Sequence, residues 1–287
     1  MLVEQLINGI GQGLIYALMS IGYALIFGVI GLVTFTHGDV VMLGAFAAYF
    51  AFAILPGNFF VAIIAGFVLS GLMGFVVHRI CYNRFFNAPR QVSLICTIGM
   101  GMFIRNFVQV FIGTETKPIP DLFGAKAIVV AGLRINYMTL FILAVVLVMV
   151  IFLTLFLNFT RLGLSLRSVA QDKTAAALCG IDTKKATTIG NMLGCALGGV
   201  AGVLYAVNYG SIVPTMGGSI GLKAFCCAVL GGMANIPGAA IGGLLIGIFE
   251  NLGIALFSAS VRDIVSFVFL IGILLIKPEG LFSRRSR

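Results

Sequence analysis

The sequence predicts an all-α integral membrane protein, a bundle of about eight to nine helices that cross a lipid bilayer. Of its 287 residues, 60% are hydrophobic and only 9% are charged, which is more apolar surface than one soluble core can bury. Uncharged stretches of about 20 residues, the length of one helical crossing, recur along the chain. These stretches do not alternate in polarity as the strands of a membrane β-barrel do. The three observations together predict the fold class.

Apolar length places nine spans in chain order, and together they form a single domain of residues 1–287. The first span is expected to be retained, because no basic region or small-residue cleavage site marks it as a signal peptide. The seventh is short and is interrupted by Gly231, Gly232 and Pro237, so a broken, half-length or re-entrant helix is expected near 220–237. The predicted spans are 6–30, 36–54, 60–82, 92–112, 137–158, 186–208, 220–231, 237–257 and 262–276.

The orientation of these spans follows from the basic residues, because Lys and Arg accumulate in cytoplasmic loops. Twelve of them fall on one side, and we place this side in the cytoplasm: Arg79, Arg84, Arg90, Arg161, Arg167, Lys173, Lys184, Lys185, Lys277, Arg284, Arg285 and Arg287. Arg105 lies inside the fourth span. The five basic residues on the other side are Lys117, Lys126, Arg134, Lys223 and Arg262. This bias predicts an external N-terminus and a cytoplasmic C-terminus if the short seventh segment crosses.

The composition also argues against other functional classes. The net charge of +9 is spread over membrane loops and does not form the basic face of a soluble nucleic-acid-binding module. Six cysteines show no CxxC or Cys/His spacing, so we expect buried thiols and no metal site. Two histidines on different spans do not supply the converging groups that an intramembrane enzyme needs. The chain itself is therefore not expected to be an enzyme or to hold a cofactor.

A cytoplasmic segment, residues 161–185, is patterned as an amphipathic helix rather than as a flexible connector. Its apolar side consists of Leu164, Leu166, Val169, Ala170, Ala176 and Leu178. Gly180 is expected to end the helix, and Asp182 or Thr183 to cap the next span. Such a helix either lies flat on lipid or docks into the groove of a partner protein. The absence of Trp and Phe from its apolar side favours the protein groove.

Three stretches of this chain resemble the branched-chain amino acid class of permeases from ATP-binding-cassette (ABC) importers. One is the cytoplasmic segment, with Arg167, Ala170, Asp172, Ala175, Ala176, Leu178, Gly180 and Ile181. The second is Thr34–Asp39, similar to the motif Asn-Phe-Ala-His-Gly-Asp/Glu, from which Thr34 and Thr36 depart. The third is the glycine-rich block that begins at Gly231, and the closing KPEGLF is also similar to the family. The resemblance extends through most of the chain.

This resemblance implies a LivH-type permease of the bacterial inner membrane that imports leucine, isoleucine and valine by alternating access. It implies a LivM-like second permease subunit, two LivG/LivF-like ATPase subunits that hold ATP and Mg²⁺, and an extracytoplasmic binding protein. The residues that would couple ATP hydrolysis to transport are Arg167, Ala170, Asp172, Ala176, Leu178, Gly180 and Ile181. Importers of urea and short amides share these motifs, so they are an alternative. An ion-coupled secondary amino-acid transporter is a second alternative, which predicts transport without an ATPase.

Six residues are candidates for the translocation path: His37, Asp39, Gly231, Gly232, Asn235 and Glu250. Ionisable groups at membrane depth are functional suspects, so His37 and Asp39 could contact substrate or relay protons. We favour the simpler interpretation, in which they cap the start of the second span at its inner side. The break at Gly231–Gly238 either exposes backbone dipoles to substrate or forms a tight turn between antiparallel helices.

Glu250 lies deep in an apolar run, where an unpaired carboxylate would cost several kcal/mol. It therefore needs a partner, and Arg105 is the candidate by the sign of its charge. Such a pair would either hold the bundle together or line the pathway, and we favour the structural interpretation.

Overall fold

The computed structural model describes residues 2–55, 57–85, 89–120, 127–130, 133–258, 262–277 and 280–282. Lys126, Arg284, Arg285 and Arg287, which entered the charge count, lie outside these ranges. Within them, eleven α-helices form almost all of the regular structure, and α3 continues as a π-helical segment, His78–Asn83. The helices are α1 Leu2–Ile30, α2 His37–Ile54, α3 Phe59–Val77, α4 Arg90–Ile112, α5 Tyr137–Phe159, α6 Arg161–Gln171, α7 Lys173–Leu178, α8 Thr183–Tyr209, α9 Met216–Gly231, α10 Ile236–Leu256 and α11 Arg262–Ile276.

The helices confirm the predicted membrane fold. In the described part of the chain, seven of them are long and apolar enough to cross a bilayer: α1, α2, α3 with its π-helical extension, α4, α5, α8 and α10. The shorter α9 and α11 coincide with the two remaining predicted segments, so each of the nine segments corresponds to a helix. The seventh segment begins at Met216, four residues earlier than predicted, because Gly217 and Gly218 continue the helix instead of preceding it.

Four short strands connect the helices in two antiparallel pairs. The strand β1, Lys117–Pro118, pairs with β4, Ser211–Ile212, and thereby joins the chain after α4 to the chain after α8. The strands β2, Ala127–Val130, and β3, Leu133–Asn136, form a hairpin before α5. We call the end of the bundle that carries β1 and β4 the upper end.

The opposite end, which we call the lower end, gathers the connection 160–182 with the ends of several helices. One cavity there is lined by residues from the end of α1, the π-helical segment, the start of α4, the α6–α7 region and the start of α8. The turn between α9 and α10 also lies at this end, because a Cβ added to Gly28 would be 3.9 Å from the carbonyl oxygen of Ala234. Leu281, after α11, donates its backbone N–H to Leu230 at 2.9 Å.

The helix α9, which is the short seventh segment, runs from the upper end toward the lower end of the bundle. It starts four residues after β4 and ends at the turn beside Gly28. Its 16 residues span about 24 Å. The antiparallel α10 returns to the upper end, and α11 returns downward beside it. The start of α1 and the end of α11 therefore lie at opposite ends of the bundle.

Glycines let the central helices approach closely, as small residues do in membrane bundles. A Cβ on Gly247 of α10 would lie 2.2 Å from the Cα of Gly13 in α1. A Cβ on Gly44 of α2 would lie 2.4 Å from the carbonyl oxygen of Gly199 in α8. These contacts leave no room for larger side chains, and they make α1, α2 and α8 the most buried spans of the bundle.

Candidate functional site

The helix α2 begins deep inside the bundle rather than at its lower end. After α1, Gly31 adopts φ +75° and the chain 31–36 folds back between the helices. The hydroxyl of Tyr23 donates to the carbonyl of Thr34 at 2.9 Å, and the hydroxyl of Thr36 donates to the carbonyl of Thr97 at 2.8 Å. Asp39 lies against Gly101, eleven residues or about 16 Å along α4 from its start. The expected position at the inner side is therefore wrong.

The capping interpretation of His37 and Asp39 is also wrong in its geometry. Thr36 is the N-cap residue, and no side chain caps this helix. Asp39 lies in the first turn, where the helix macrodipole favours a negative charge. The Nε2 atom of His37 lies 3.2 Å from the carbonyl oxygen of Met19, and its Nδ1 atom is buried without a hydrogen bond. Both side chains are therefore interior groups rather than caps.

Asp39 forms an ion pair with Arg105 of α4. The Nε and Nη2 atoms of Arg105 donate to the same Asp39 oxygen, Oδ1, at 3.1 and 3.0 Å. The Asp39 side chain is 3% exposed and that of Arg105 is 31% exposed. The expected pairing of Arg105 with Glu250 is wrong, because Asp39 starts its helix at the depth of Arg105 and takes that position.

This ion pair forms part of the wall of a cavity of about 210 Å³. Its walls combine the pair with mainly apolar and small residues from α1, α4, α9 and the chain before α2. Several of its apolar residues are themselves exposed: Phe35 by 42%, Met102 by 58% and Leu222 by 42%. The cavity therefore opens sideways through an apolar face of the subunit. The lining is Tyr23, Thr34, Phe35, Gly38, Asp39, Ile98, Met102, Arg105, Gly218, Gly221, Leu222 and Phe225.

Glu250 belongs to a separate buried network at the junction of α1, α9, α10 and α11. It is 0% exposed, and its Oε1 atom pairs with the Nζ atom of Lys223 at 2.9 Å. Its Oε2 atom accepts hydrogen bonds from Gln12 and Tyr16 at 2.8 and 2.9 Å. The hydroxyl of Ser266 donates to Oε1. Because four groups contact this carboxylate, the network joins the four helices.

Lys223 corrects the charge count made from the sequence. We placed it with the external charges, but it lies within α9 and is 6% exposed. It also pairs with Asp263 at 2.8 Å, at the start of α11. The signal in the sequence was a lysine inside an apolar segment, opposite in sign to the buried Glu250. Gln12, Tyr16 and Ser266 carried no comparable signal.

The break at Gly231–Gly238 is a tight turn between antiparallel helices. Gly232 has φ +93°, and Asn235 donates its backbone N–H to Gly232 at 2.7 Å. The side-chain amide of Asn235 donates to the carbonyl of Phe282 at 2.7 Å, so the segment after α11 contacts the turn. Gly231, Gly232 and Asn235 therefore lie at the lower end, away from Asp39 and from Glu250. The structure does not bring the six candidate path residues together.

The segment 161–185 contains two short helices where one was expected, with Asp172 between them. The carboxylate of Asp172 accepts the backbone N–H groups of Thr174 and Ala175 at 2.7 and 3.0 Å, which starts α7 anew. Gly180, with φ +79°, ends α7 as predicted. Asp182 caps α8 as predicted, and the hydrogen bond from the Lys185 backbone N–H lowers the pKa of its carboxyl group.

The apolar residues of this segment point in two directions. Leu166, Val169 and Ala176 are buried against the bundle. Leu164 is 57% exposed and Leu178 is 85% exposed, and Ala170, Gly180 and the polar Arg167 are also exposed. The expected single apolar face is therefore divided. Its exposed part forms a surface at the lower end, and Ile181 lies half-buried at its margin.

The cavity at the lower end has a volume of about 410 Å³ and lies between this segment and the chain that leads to α2. The Nζ atom of Lys173 donates to the carbonyl of Ile30, the last residue of α1. His78 of the π-helical segment lines the same cavity, and its Nδ1 atom lies 3.1 Å from the hydroxyl of Thr188. Lys173 thus links α7 to the end of α1, from which the chain 31–36 leads to α2 and Asp39. The sequence did not indicate this contact.

In the ranges that the structure describes, no group of three or more His, Cys, Asp or Glu side chains could hold a metal ion. The charged groups of the interior are instead arranged as the two pairs described above.

Comparison with known proteins gives one consistent family. Residues 5–274 match the family described as branched-chain amino acid transport system / permease component. The chain is 36% identical to the high-affinity branched-chain amino acid transport system permease protein LivH of Salmonella typhimurium, over 98% of this chain and 96% of that protein. It is 36% identical to BraD of Pseudomonas aeruginosa over the same shares. It is 27% identical to the ribose import permease protein RbsC of Escherichia coli, over 90% of this chain and 80% of that protein.

Proposed function

This chain belongs to the branched-chain amino acid transport permease family, and from this premise we propose that it imports leucine, isoleucine and valine as the LivH-type subunit of an ATP-driven transporter. The observation that carries the proposal is the position of Asp39 and Arg105, at a cavity deep inside the bundle and open toward one face. The permease moves substrate without covalent chemistry. ATP and Mg²⁺ are held by two LivG/LivF-like ATPase subunits, and an extracytoplasmic binding protein delivers the substrate.

The exposed surface of α6 and α7 supports docking of an ATPase subunit at the lower end. Leu178 is 85% exposed on a segment that charge places at the cytoplasmic side, and exposed apolar side chains of this kind mark interaction surfaces. Arg167 and Asp172 lie on the same segment and would steer the choice of partner. Lys173 contacts the end of α1, so a movement of α7 would be transmitted along the chain 31–36 to the cavity at Asp39 and Arg105. This contact supplies a route for alternating access.

The open side of the cavity at Asp39 and Arg105 supports a second, LivM-like permease subunit. Phe35, Met102 and Leu222 line the cavity and are exposed, so the cavity lacks an outer wall in this chain alone. A second subunit placed against this face would complete that wall. The substrate would then pass between the two subunits.

The separation of the termini supports the orientation deduced from charge. The end of α11 lies at the lower end with the basic segment 161–185, and the start of α1 lies at the upper end. We place the lower end in the cytoplasm of a bacterial cell, with the N-terminus outside the inner membrane and the C-terminus inside.

The decisive test is leucine uptake into proteoliposomes that contain this chain with its co-expressed permease, ATPase and binding-protein partners. We expect uptake only when ATP is inside and the binding protein is outside. Uptake by this chain alone, driven by an ion gradient, would overturn the proposal in favour of a secondary transporter. Uptake of urea, amides or ribose in place of leucine would overturn the proposed substrate.

Asp172 provides a prediction for the coupling segment in the same assay. Asp172→Ala removes the cap of α7, worth about 1 kcal/mol, and we expect uptake to fall about fivefold. Asp172→Asn keeps a capping oxygen at the same place, so uptake should remain within about twofold of the wild type. Equal loss in both variants would show that the charge of Asp172, rather than the cap, is needed.

A further inference from the structure

The Asp39–Arg105 ion pair leaves hydrogen-bonding capacity unused on both partners. Arg105 directs Nε and Nη2 to the single oxygen Oδ1. Within the described residues, Asp39 Oδ2 accepts no hydrogen bond and Arg105 Nη1 donates none. Both side chains line the cavity, so a small molecule in the cavity can reach an anionic acceptor and a cationic donor side by side.

The charges of this pair match those of a free amino acid. A zwitterion carries a carboxylate and an ammonium group on one carbon, and it can lie antiparallel to the pair with each charge facing its opposite. A carboxylate accepts two parallel N–H donors from a guanidinium group, which gives geometric selectivity as well as energy. A ligand with one charge would add an uncompensated charge to this neutral pair, at a depth where unpaired charges are expensive.

The remaining walls suit an aliphatic side chain. Ile98 and Met102 of α4 face the cavity, as do Leu222 and Phe225 of α9. The hydroxyl of Tyr23 is already engaged in its 2.9 Å hydrogen bond to the backbone carbonyl of Thr34. Ligand pockets commonly combine such apolar walls with a few polar groups that fix orientation.

Three glycines make the space for the ion pair. A Cβ on Gly101 would lie 2.5 Å from Asp39 Oδ2, and one on Gly217 would lie 2.5 Å from Asp39 Oδ1. A Cβ on Gly218 would lie 3.2 Å from Arg105 Nη2. The helices α4 and α9 therefore carry no side chain at the points where they face the pair, and the carboxylate occupies the space.

We propose that Asp39 and Arg105 bind the two charged groups of an amino acid zwitterion during its passage, the ammonium group at Asp39 and the carboxylate at Arg105. The inference rests on the proposed function and identifies the part of the substrate that this site recognises. The aliphatic side chain lies against Met102 and Phe225. Arg105 thereby selects amino acids over neutral substrates that relatives of this chain transport.

The test compares variants of the complete reconstituted transporter. The double variant Asp39→Asn with Arg105→Gln removes both charges and leaves neither one buried alone. We expect normal assembly, normal stimulation of ATP hydrolysis by the binding protein, and a fall of at least tenfold in the maximal rate of leucine uptake. The leucine concentration for half-maximal uptake, which the binding protein sets, should stay unchanged. Uptake at the wild-type rate in the double variant would show that the pair is structural and would overturn the inference.

A second measurement uses the wild-type transporter, so it does not depend on whether the variants fold. A photoreactive diazirine analogue of leucine, added to the wild-type transporter during turnover, should label peptides that contain Met102 or Phe225. Excess leucine should suppress this labelling, whereas 4-methylpentanoate, which lacks the ammonium group, and isopentylamine, which lacks the carboxylate, should not. Labelling confined to other peptides, or equal suppression by either analogue, would overturn the inference. If the wild type transports no leucine at all, the proposed function itself fails, and the two failures are thus distinguishable.

Discussion

Two buried ion pairs in the described part of this protein differ in how fully their charges are satisfied. Glu250 is 0% exposed and contacts Lys223, Gln12, Tyr16 and Ser266, so both oxygens are occupied. Among the residues that the structure describes, Asp39 has Arg105 as its one charged partner, and the Arg105 side chain is 31% exposed. Both pairs join helices, and of the two the Asp39–Arg105 pair lines a cavity that a small molecule could enter.

This difference indicates how buried charge is used in the two regions. A carboxylate with four partners holds helices in one arrangement, because moving any of them leaves a polar group unpaired in an apolar interior. A carboxylate with one partner and a neighbouring cavity can exchange contacts with a substrate. We therefore expect changes at Glu250 to alter stability, and changes at Asp39 to alter transport.

Lys223→Met should give the largest effect of the changes that test this difference. It leaves Glu250 charged and buried with neutral donors alone, and removing one partner of a buried pair commonly costs about 3–5 kcal/mol. We expect a marked fall in the yield and melting temperature of the purified complex.

The control for this prediction is the double variant Lys223→Met with Glu250→Gln. It removes both charges, so most of the lost stability should return, and uptake per assembled complex should approach that of the wild type. A stable double variant that transports no leucine would place Glu250 in the translocation path and contradict the comparison.

Gly101→Ala should affect transport more than stability. The new methyl group would lie 2.5 Å from Asp39 Oδ2, and the carboxylate can move away because it is the end of a flexible side chain. The pair would then lose its alignment, and we expect uptake to fall about tenfold, equivalent to about 1.4 kcal/mol. Gly99→Ala on the same helix is the matched control, because no atom lies within 4 Å of its added Cβ. Equal effects of the two substitutions would contradict this prediction.

Apolar length and turn chemistry were enough to predict the nine apolar helices of this fold. Each of the nine predicted segments became a helix, and Gly180 and Asp182 took the capping roles expected of them. These signals are local, since a helix and its caps depend on residues within a few positions of each other. The sequence therefore contained what these predictions required.

The partners of the buried charges could not be predicted in the same way. Glu250 needed a cation, but the choice between Arg105 and Lys223 depends on how deep α2 begins and which helices surround α10. The chain 31–36 has no periodicity that reveals its return into the bundle, since Gly31 and the contacts of Thr34 and Thr36 position it. Resemblance to a family identified Asp39 as a candidate, whereas its ion pair and cavity required the packed structure.

Ser266→Ala gives the smallest effect and tests whether the Glu250 network is purely structural. The change removes one donor to a charged acceptor, which commonly costs about 1.5–3 kcal/mol, but Lys223, Gln12 and Tyr16 still contact the carboxylate. We therefore expect a melting temperature lowered by a few degrees, and unchanged uptake per assembled complex. Ser219→Ala is the control, because within the described part of the chain that hydroxyl bonds the carbonyl of Met216 in its own helix, at 3.1 Å, and no other group. If Ser266→Ala lowered uptake at full stability, the network would have to change its hydrogen bonds during transport, and the distinction between the two ion pairs would not hold.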